Sequence, residues 1–268
     1  MKKIEELLGK IQNQDCLEFL KEVPDNSVDL VITSPPYNKN GLRGYSIVNT
    51  KNKTKWKRWS GSDINYGEYK DDKSEVEYQE WQIALLNEFH RVIKDTGSIL
   101  YNHKVRRAQN KASHPLEWIL KAKPNFYQQI IWNRLSACDH NVNYLDPITE
   151  SLFWLVKGKP ICNKIKPFMT EIINIPPENN TKHPAPFPRK LVSFGIILTT
   201  NKDGIVLDPF MGSGTTAVAS EMEGRKWLGC ELSKEYCKMA TERIEQGRLQ
   251  YNLPFDEKSS GYFENLSV

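Results

Sequence analysis

The fold is decided by the stretch Gly204-Ile205-Val206-Leu207-Asp208-Pro209-Phe210-Met211-Gly212-Ser213-Gly214-Thr215-Thr216. The apolar residues before Asp208 predict a buried strand, Asp208-Pro209 ends it, and a helix is expected to start at Thr215. Glycine in the turn lets a ligand approach the backbone without a Cβ in the way, at the strand end where open α/β sheets hold ligands. The stretch therefore predicts a nucleotide-type site, although a structural turn has the same local pattern.

A carboxylate follows this turn at an informative distance. The next predicted strand ends at Glu231, about 20 residues beyond the glycines, where an acid can accept hydrogen bonds from a ribose diol. The dinucleotide pattern GxGxxG is not met, because Ala217 follows Thr216 where the third glycine is expected. No Gly-Lys-Ser/Thr of a phosphate-binding loop is present either. The order of strand, turn, helix, strand and acid favours a ligand site over a structural turn.

A second motif lies at the end of another predicted strand, near the start of the chain. The run Val28-Asp29-Leu30-Val31-Ile32-Thr33 leads into Ser34-Pro35-Pro36-Tyr37, so both motifs are expected on the same side of the sheet. Two prolines stiffen the backbone and direct the Pro35 carbonyl outward. Ser34 Oγ and this carbonyl suit the two N–H donors of an exocyclic amino group, and Tyr37 offers a flat face to a base. On its own the motif is also compatible with a polyproline turn.

Apolar runs rich in β-branched and aromatic residues predict the rest of the sheet. Several are near-continuous, which is typical of parallel strands covered on both faces, and helices are expected between many of them. The predicted strands are 28–33, 98–101, 127–132, 151–156, 205–207 and 227–230, and the predicted helices are 77–93, 217–223 and 234–248. These patterns indicate a doubly wound α/β sheet, with an irregular region where the helical signal disappears at 135–182.

Composition narrows the class of protein. The 268 residues fit one elaborated domain. No apolar stretch approaches the roughly 20 residues that span a bilayer, and the first residues lack the apolar region of a signal peptide, so we expect a soluble, cytoplasmic protein. Five scattered cysteines and five isolated histidines lack metal-ligand spacing, and no metal site is predicted. His103, at a predicted strand end, is expected to line the cleft.

Positive charge is concentrated in one segment. The formal net charge is only +4, but residues 39–59 carry no acidic residue and contain two tryptophans among the basic residues Lys39, Arg43, Lys51, Lys53, Lys55, Lys57 and Arg58. Such a segment suits a phosphate backbone, and its position directly after Tyr37 favours DNA contact. A solvated surface loop is the alternative.

Together the motifs resemble the DNA amino-methyltransferases that use S-adenosylmethionine. Thr33 to Tyr37 matches their catalytic motif, Asp208 to Thr216 matches their cofactor motif, and this order resembles the β class. The stretches Asp15 to Leu20 and His183 to Pro188, with Leu191, match as well, which leaves the middle of the chain unassigned. The resemblance implies a circularly permuted Rossmann-like methyltransferase sheet with helices on both faces and a small irregular target-recognition region.

The resemblance also implies roles. Ser34, Pro35, Pro36 and Tyr37 would be catalytic and act by direct displacement on a base flipped out of the duplex, without a covalent enzyme intermediate. Glu231 would bind the ribose of the cofactor, Asp15 the adenine, and 183–188 the methionine end. The cofactor site implied in full comprises Asp15, Thr33, His183, Pro184, Phe187, Asp208, Pro209, Phe210, Gly212, Ser213, Gly214, Thr215 and Glu231.

The expected organisation places the catalytic half, with the basic segment, at 1–134, a target-recognition segment at 135–182, the cofactor half at 183–252 and a peripheral tail at 253–268. Residues with side chains suited to phosphate or base edges are expected to contact DNA, namely Lys39, Arg43, Lys53, Lys55, Lys57, Arg58 and Arg134. The implied partners are double-stranded DNA, a second copy of the chain and a cognate restriction endonuclease.

The target base remains open at this point. In the family that the motifs resemble, Ser-Pro-Pro-Tyr is more usual for cytosine N4 and Asp-Pro-Pro-Tyr for adenine N6, although adenine enzymes with serine exist. Cytosine N4 is therefore favoured, with adenine N6 as the alternative. A methyltransferase of RNA or protein amides is a rival that the motif order and the basic segment oppose. A non-catalytic DNA-binding relative is another, opposed by the intact Ser34, Tyr37, Gly212 and Glu231.

Overall fold

The computed structural model describes residues 2–38, 43–50, 53–60, 71–108, 111–136, 145–164, 170–178 and 187–251. In chain order the elements are α1 (Ile4–Leu7), β1 (Ile11–Asn13), α2 (Cys16–Glu22), β2 (Val28–Thr33), β3 (Arg43–Thr50), β4 (Lys53–Ser60), α3 (Glu75–Val92), β5 (Ile93–His103), β6 (Arg106–Ala108), β7 (Lys111–Ser113), α4 (Leu116–Ile119), β8 (Asn125–Asn133), β9 (Thr149–Val156), β10 (Ile172–Asn174), α5 (Arg189–Thr199), β11 (Ile205–Asp208), α6 (Thr215–Met222), β12 (Lys226–Glu231) and α7 (Lys234–Tyr251).

An eight-stranded sheet forms the centre, in the order β1-β12-β11-β2-β5-β9-β8-β10. Most neighbouring strands are parallel, but β9 runs antiparallel to both β5 and β8. The predicted α/β class is confirmed, and the antiparallel β9 is the one departure from the predicted parallel pattern. Antiparallel neighbours can be joined without a crossover helix, which fits the absence of helical signal between β8 and β9.

The six predicted strands and three predicted helices are present, β2 with the predicted bounds and the others with one or both ends shifted. The largest shift is in β5, which begins at Ile93 rather than at residue 98. Helix α5 was not predicted. Its residues are buried over nearly the whole length, so its sequence lacks the polar face that marks an amphipathic helix.

Helices cover both faces of the sheet. On one face α2, α3 and α4 contribute Phe19, Phe89 and Trp118 to the larger core cluster. On the other face α5 and α6 pack Ile196 and Ala219 against the sheet. Burial on both faces explains why the central strands are apolar without alternation.

The basic segment 39–59 contains a β-hairpin of its own. Strands β3 and β4 pair antiparallel, with Ser46 opposite Lys57 and Val48 opposite Lys55. Arg43, Lys53 and Arg58 belong to the same two strands, whereas Lys39 lies outside the described residues.

Part of the expected recognition segment 135–182 belongs to the main sheet. Strand β9 lies between β5 and β8, and β10 adds to the edge beside β8. The parts of this segment outside β9 and β10 include residues 137–144, 165–169 and 179–182, which lie outside the described residues. None of the helices in the described part of the chain is long and apolar enough to cross a membrane.

Candidate active site

The two motifs leave the sheet side by side. Strands β2 and β11 are parallel neighbours, with Leu30 paired to Val206 and Val31 to Leu207. The turns that follow them therefore share the carboxyl edge of the sheet, where ligands bind in open α/β folds.

Asp208 ties these two turns together. Its Oδ1 accepts from Thr33 Oγ1 at 2.7 Å and from the Phe210 backbone N at 3.0 Å, and its Oδ2 accepts from Thr216 Oγ1 at 2.6 Å. Thr33, Asp208 and Thr216 are buried. Burial raises the pKa of Asp208 to about 6, against the opposing effect of these hydrogen bonds. Thr33 and Asp208, which the resemblance placed in the cofactor site, thus use these polar atoms to join the two motifs.

The glycine turn has the backbone that its sequence requires. Gly212 and Gly214 have φ values of 52° and 82°, in the left-handed region that favours glycine. Gly214 also caps α6, and a Cβ added to it would lie 3.0 Å from the Cβ of Ala240 on α7. Any side chain at Gly214 would therefore meet both backbone strain and a neighbouring helix.

Glu231 lies beside this turn, at the end of β12. Its Oε2 accepts from the Gly212 backbone N at 2.9 Å, and its Oε1 accepts from the Ser233 backbone N at 2.9 Å. Burial raises the pKa of Glu231, and the backbone donors oppose that shift. The carboxylate that the spacing predicted next to the glycines is thus in contact with their turn.

Arg243, on α7, supports the same turn and was not found from the sequence. Its Nη1 donates to Thr215 Oγ1 at 2.9 Å and to Ser213 Oγ at 3.1 Å. Burial lowers the pKa of its guanidinium. Ser213 and Thr215 were expected to hold cofactor, and the structure shows their hydroxyls held by Arg243. No local pattern links an arginine in the middle of a late helix to this turn.

The remaining expected cofactor residues have different surroundings where the structure describes them. Phe210 lies after Pro209 with its ring 5.8 Å from that of Trp81. Asp15 caps α2, where its Oδ1 accepts from the backbone N of Leu17 and of Glu18, at 2.8 and 3.3 Å. Phe187 packs against the core beneath α5. His183 and Pro184 lie outside the described residues.

The Ser-Pro-Pro-Tyr turn is embedded in a buried polar cluster. Ser34 Oγ lies 3.0 Å from Tyr37 Oη, and Tyr37 Oη donates to Glu150 Oε2 at 3.2 Å. Asn102 Nδ2 donates to Tyr37 Oη at 2.8 Å and to Glu150 Oε2 at 3.0 Å, and lies 3.3 Å from Ser34 Oγ. Asn102 comes from β5 and Glu150 from β9. Neither was singled out from the sequence, because the pairing of β5 with β9 brings them together.

Arg134 belongs to this cluster rather than to the surface. Its Nη1 donates to Glu150 Oε1 at 3.0 Å and its Nη2 to the Pro147 carbonyl at 3.0 Å, and its side chain is 8% exposed. A guanidinium buried to this extent needs a carboxylate partner. The structure therefore places the guanidinium of Arg134 in a buried ion pair, and the expected contact of Arg134 with DNA stays a prediction.

A second cluster supports the turn through the Pro36 carbonyl. This carbonyl accepts from Tyr78 Oη at 2.8 Å, and Tyr78 Oη accepts from Gln82 Nε2 at 2.7 Å. His103 Nε2 lies 2.7 Å from Tyr78 Oη, and its Nδ1 lies 2.9 Å from the Lys104 backbone N, which donates to it. Because the one hydrogen of Tyr78 is given to Pro36, His103 Nε2 must donate to Tyr78 Oη, while Nδ1 also lies 2.8 Å from the Lys104 carbonyl.

His103 was expected to line the cleft, but it is fully buried behind Tyr37. The two ring centroids are 4.5 Å apart, with the planes inclined by 39°. His103 thus supports one face of Tyr37 from inside the protein. In the described ranges, no group of three or more His, Cys, Asp or Glu side chains could hold a metal ion.

Known proteins share both this fold and this sequence pattern. M.BglII, a type II methyltransferase of Bacillus subtilis, is 26% identical over 87% of this chain and 68% of its own length. The solved PvuII DNA methyltransferase, a cytosine-N4-specific enzyme, superimposes with a TM-score of 0.68 at 19% identity and covers 96% of this chain and 95% of its own. The protein TTHA0409 of Thermus thermophilus, solved with S-adenosyl-L-methionine, has a TM-score of 0.63 at 22% identity, over 89% and 93% of the two chains.

The sheet and its paired turns are those of a methyltransferase. The family model of the N6/N4 DNA methylases matches residues 28–242, and the chain belongs to that family. It is an enzyme that methylates an exocyclic amino nitrogen of DNA, with S-adenosylmethionine as its cofactor. The two glycines, which bring no side chain into the turn, and the carboxylate of Glu231 fit a ligand that carries a ribose.

Proposed function

We propose that this enzyme methylates cytosine at N4, with adenine N6 as the alternative. The observation that carries the proposal is the serine at the start of the Ser-Pro-Pro-Tyr turn, in a turn held rigid by two buried clusters. The base choice rests on Ser34 alone, because both target amino groups offer two N–H donors of similar geometry. The fold is common to enzymes of both kinds and does not discriminate between them.

In the proposed arrangement Ser34 Oγ and the Pro35 carbonyl accept the two hydrogens of the target amino group. Pro36 stiffens the turn, and Tyr78 anchors its carbonyl. The base stacks on Tyr37, whose ring is supported from inside the protein by His103. This fixes the nitrogen in the orientation for methyl transfer, so that positioning supplies much of the acceleration.

For the cofactor we propose that the backbone from Pro209 to Gly214 and the ring of Phe210 form the cradle. Glu231 accepts hydrogen bonds from the ribose, Asp15 reaches the adenine with the Oδ2 that the α2 cap does not use, and residues 183–188 close over the methionine end. When bound, the cofactor supplies a methyl group on a sulfonium, which is an excellent leaving group.

The hairpin β3–β4 is proposed as the main contact to the phosphate backbone. It carries Arg43, Lys53, Lys55, Lys57 and Arg58, and it follows the catalytic turn directly. Two hydrogen bonds between the residues that flank the basic segment support this role. The Asn38 backbone N donates to Asp71 Oδ1 at 2.8 Å, and Asn38 Nδ2 donates to the Lys73 carbonyl at 2.7 Å. The basic insertion thus leaves and re-enters the fold beside Tyr37.

The wider organisation is proposed on the same basis. Residues 1–134 form the catalytic half and 183–252 the cofactor half, while recognition falls to the parts of 135–182 outside β9 and β10. The expected tail 253–268 lies outside the described residues. A second copy of the chain and a cognate restriction endonuclease are proposed partners, since the relatives include type II methyltransferases. Because its substrate is DNA, we propose a cytoplasmic location.

The test is to incubate the purified protein with unmethylated DNA and S-adenosylmethionine, digest the DNA to nucleosides and identify the product by mass spectrometry. N4-methylcytosine is the expected product. N6-methyladenine would overturn the base assignment and leave the enzyme class intact. Absence of any modified nucleoside across diverse DNA would contradict the activity of the isolated chain.

A further inference from the structure

We propose that Glu150 is a positioning residue that sets Ser34 as a hydrogen-bond acceptor towards the target amino group. This inference rests on the proposed role of Ser34 and extends it. A serine hydroxyl can donate or accept, and only an acceptor suits an N–H donor. The local sequence leaves that choice open, and the buried cluster behind Ser34 decides it.

The Glu150 carboxylate sets which groups of the cluster donate and which accept. Its Oε1 accepts from Arg134 Nη1 at 3.0 Å, and its Oε2 faces Tyr37 Oη at 3.2 Å and Asn102 Nδ2 at 3.0 Å. The ion pair with Arg134 calls for the charged carboxylate, which can only accept. The one hydrogen of Tyr37 is therefore directed to Glu150.

The remaining bonds follow by counting hydrogens. Tyr37 Oη has given its hydrogen to Glu150 and already accepts from Asn102 Nδ2 at 2.8 Å, so at 3.0 Å from Ser34 Oγ it can only accept. Ser34 then donates its hydrogen to Tyr37. Its Oγ keeps its lone-pair capacity for the target amino group, with Asn102 Nδ2 at a more distant 3.3 Å.

The position of Asn102 agrees with this direction. Its Nδ2 lies against the carboxylate, and an amide rotated by 180° would set its oxygen against Glu150 Oε2 instead. Asn102 is 2% exposed and Glu150 is 9% exposed, so water does not compete freely for these bonds. Because the cluster is buried, the Glu150 carboxylate fixes the direction of the hydrogen bonds as far as the Ser34 hydroxyl, which is two hydrogen bonds away.

Glu150→Gln is the informative change, since it keeps size and shape. Arg134 needs an acceptor, so the amide oxygen of the variant is expected to face Arg134 and the amide NH2 to face Tyr37. Tyr37 then accepts from this NH2 and donates to Ser34, and the Ser34 hydrogen points at the hydrogens of the target amino group. We expect kcat to fall about 10- to 100-fold, as for one misplaced buried hydrogen bond, with little change in KM for the cofactor.

A double-mutant cycle separates this role from a merely structural one. In a Ser34→Ala background no hydroxyl remains to be oriented, so adding Glu150→Gln should change the residual kcat by no more than about twofold. If the two changes multiply as independent effects, the proposal is overturned. Equal kcat for wild type and Glu150→Gln would also overturn it.

A matched control is Glu88→Gln, which also removes a carboxylate that accepts from a guanidinium, that of Arg91, but lies on α3 outside both motif turns. This variant should keep kcat, and thermal unfolding with and without cofactor checks that each variant is folded. A wild type that methylates no DNA would refute the proposed function itself. An active wild type with an unaffected Glu150→Gln variant would refute only this inference.

Discussion

At the scale of single residues, Asp208 combines two demands. It accepts three hydrogen bonds that join the catalytic and cofactor turns, and it does so in a buried position that disfavours its charge. A carboxylate held in this way specifies the geometry of the site more than it stabilises the fold.

The pH dependence of the free energy of unfolding should show that burial disfavours the charge of Asp208. Burial raises the pKa of Asp208 from 3.8 to about 6, so the folded state holds its proton more tightly than the unfolded state. Its ionisation therefore opposes folding, with no effect well below pH 3.8 and the full effect above about pH 6. The free energy of unfolding of the wild type, relative to Asp208→Asn, should fall by about 3 kcal/mol across that range.

Urea unfolding at a series of pH values measures this difference. Thr33→Val removes one hydrogen bond that holds the pKa of Asp208 down, so in that background the fall should be larger. A difference between wild type and Asp208→Asn that does not change with pH would show that Asp208 has its ordinary pKa in the folded protein.

Single substitutions in the two motif turns should affect turnover and cofactor binding separately. Ser34→Ala removes an acceptor for the target nitrogen and should lower turnover about 100-fold or more, while cofactor still binds. Gly212→Val puts a β-branched residue at a φ of 52° and should abolish cofactor binding. Calorimetry with S-adenosylmethionine and turnover on DNA measure the two effects.

Gly9 supplies a control for backbone strain, because its φ is 69° and an added Cβ would meet nothing within 4 Å. Gly9→Val should cost stability and leave cofactor binding intact. Loss of both functions in both Ser34→Ala and Gly212→Val would argue against two distinct sites.

At the scale of elements, α5 shows how packing overrides local pattern. The helix is buried against β2 and β5, and Gly195 is the point of closest approach: a Cβ there would lie 2.6 Å from Leu100 Cδ1 and 2.7 Å from Ile32 Cδ1. Because nearly every position is covered, polar residues do not mark a period of 3.6, and the sequence does not distinguish the helix from a buried strand.

The hairpin β3–β4 carries the prediction for DNA contact. Changing Lys53, Lys55 and Lys57 to Gln should weaken DNA binding and reduce the slope of log K against log salt by about 2 to 3, because fewer counterions are released. Binding measured at several salt concentrations gives that slope.

The control changes three exposed lysines near the amino ends of β1, β11 and β12, at the opposite edge of the sheet, namely Lys10, Lys202 and Lys226. Their replacement by Gln alters the net charge equally and should leave the slope nearly unchanged. An unchanged slope in the hairpin variant would instead support the solvated-loop interpretation of the basic segment.

At the scale of the whole molecule, the strand order makes one site from distant parts of the chain. Thr33 and Asp208 are 175 residues apart and share a hydrogen bond, because β2 and β11 are neighbours. The catalytic turn thus comes first in the sequence and the cofactor turn last, as in a circularly permuted sheet.

Binding of the cofactor should stabilise the folded protein. Ligand at 100 times its dissociation constant adds about 2.7 kcal/mol to the free energy of unfolding of a protein that binds it only when folded. Thermal unfolding should therefore shift upward with S-adenosylmethionine in the wild type and not in Gly212→Val. The absence of a shift in the wild type would favour a non-catalytic DNA-binding relative.

The sequence by itself determined the α/β class, the two motif turns and the chemistry they imply, because strands, glycine turns and proline pairs are encoded by residues close together in the chain. Only the tertiary structure decided that Asp208 joins the turns, that Arg243 supports one of them, and that Arg134 pairs with Glu150 inside the protein. It also brought Asn102 and Glu150 to Ser34. These contacts depend on which strands become neighbours, and that is set by packing over the whole sheet rather than by any local pattern.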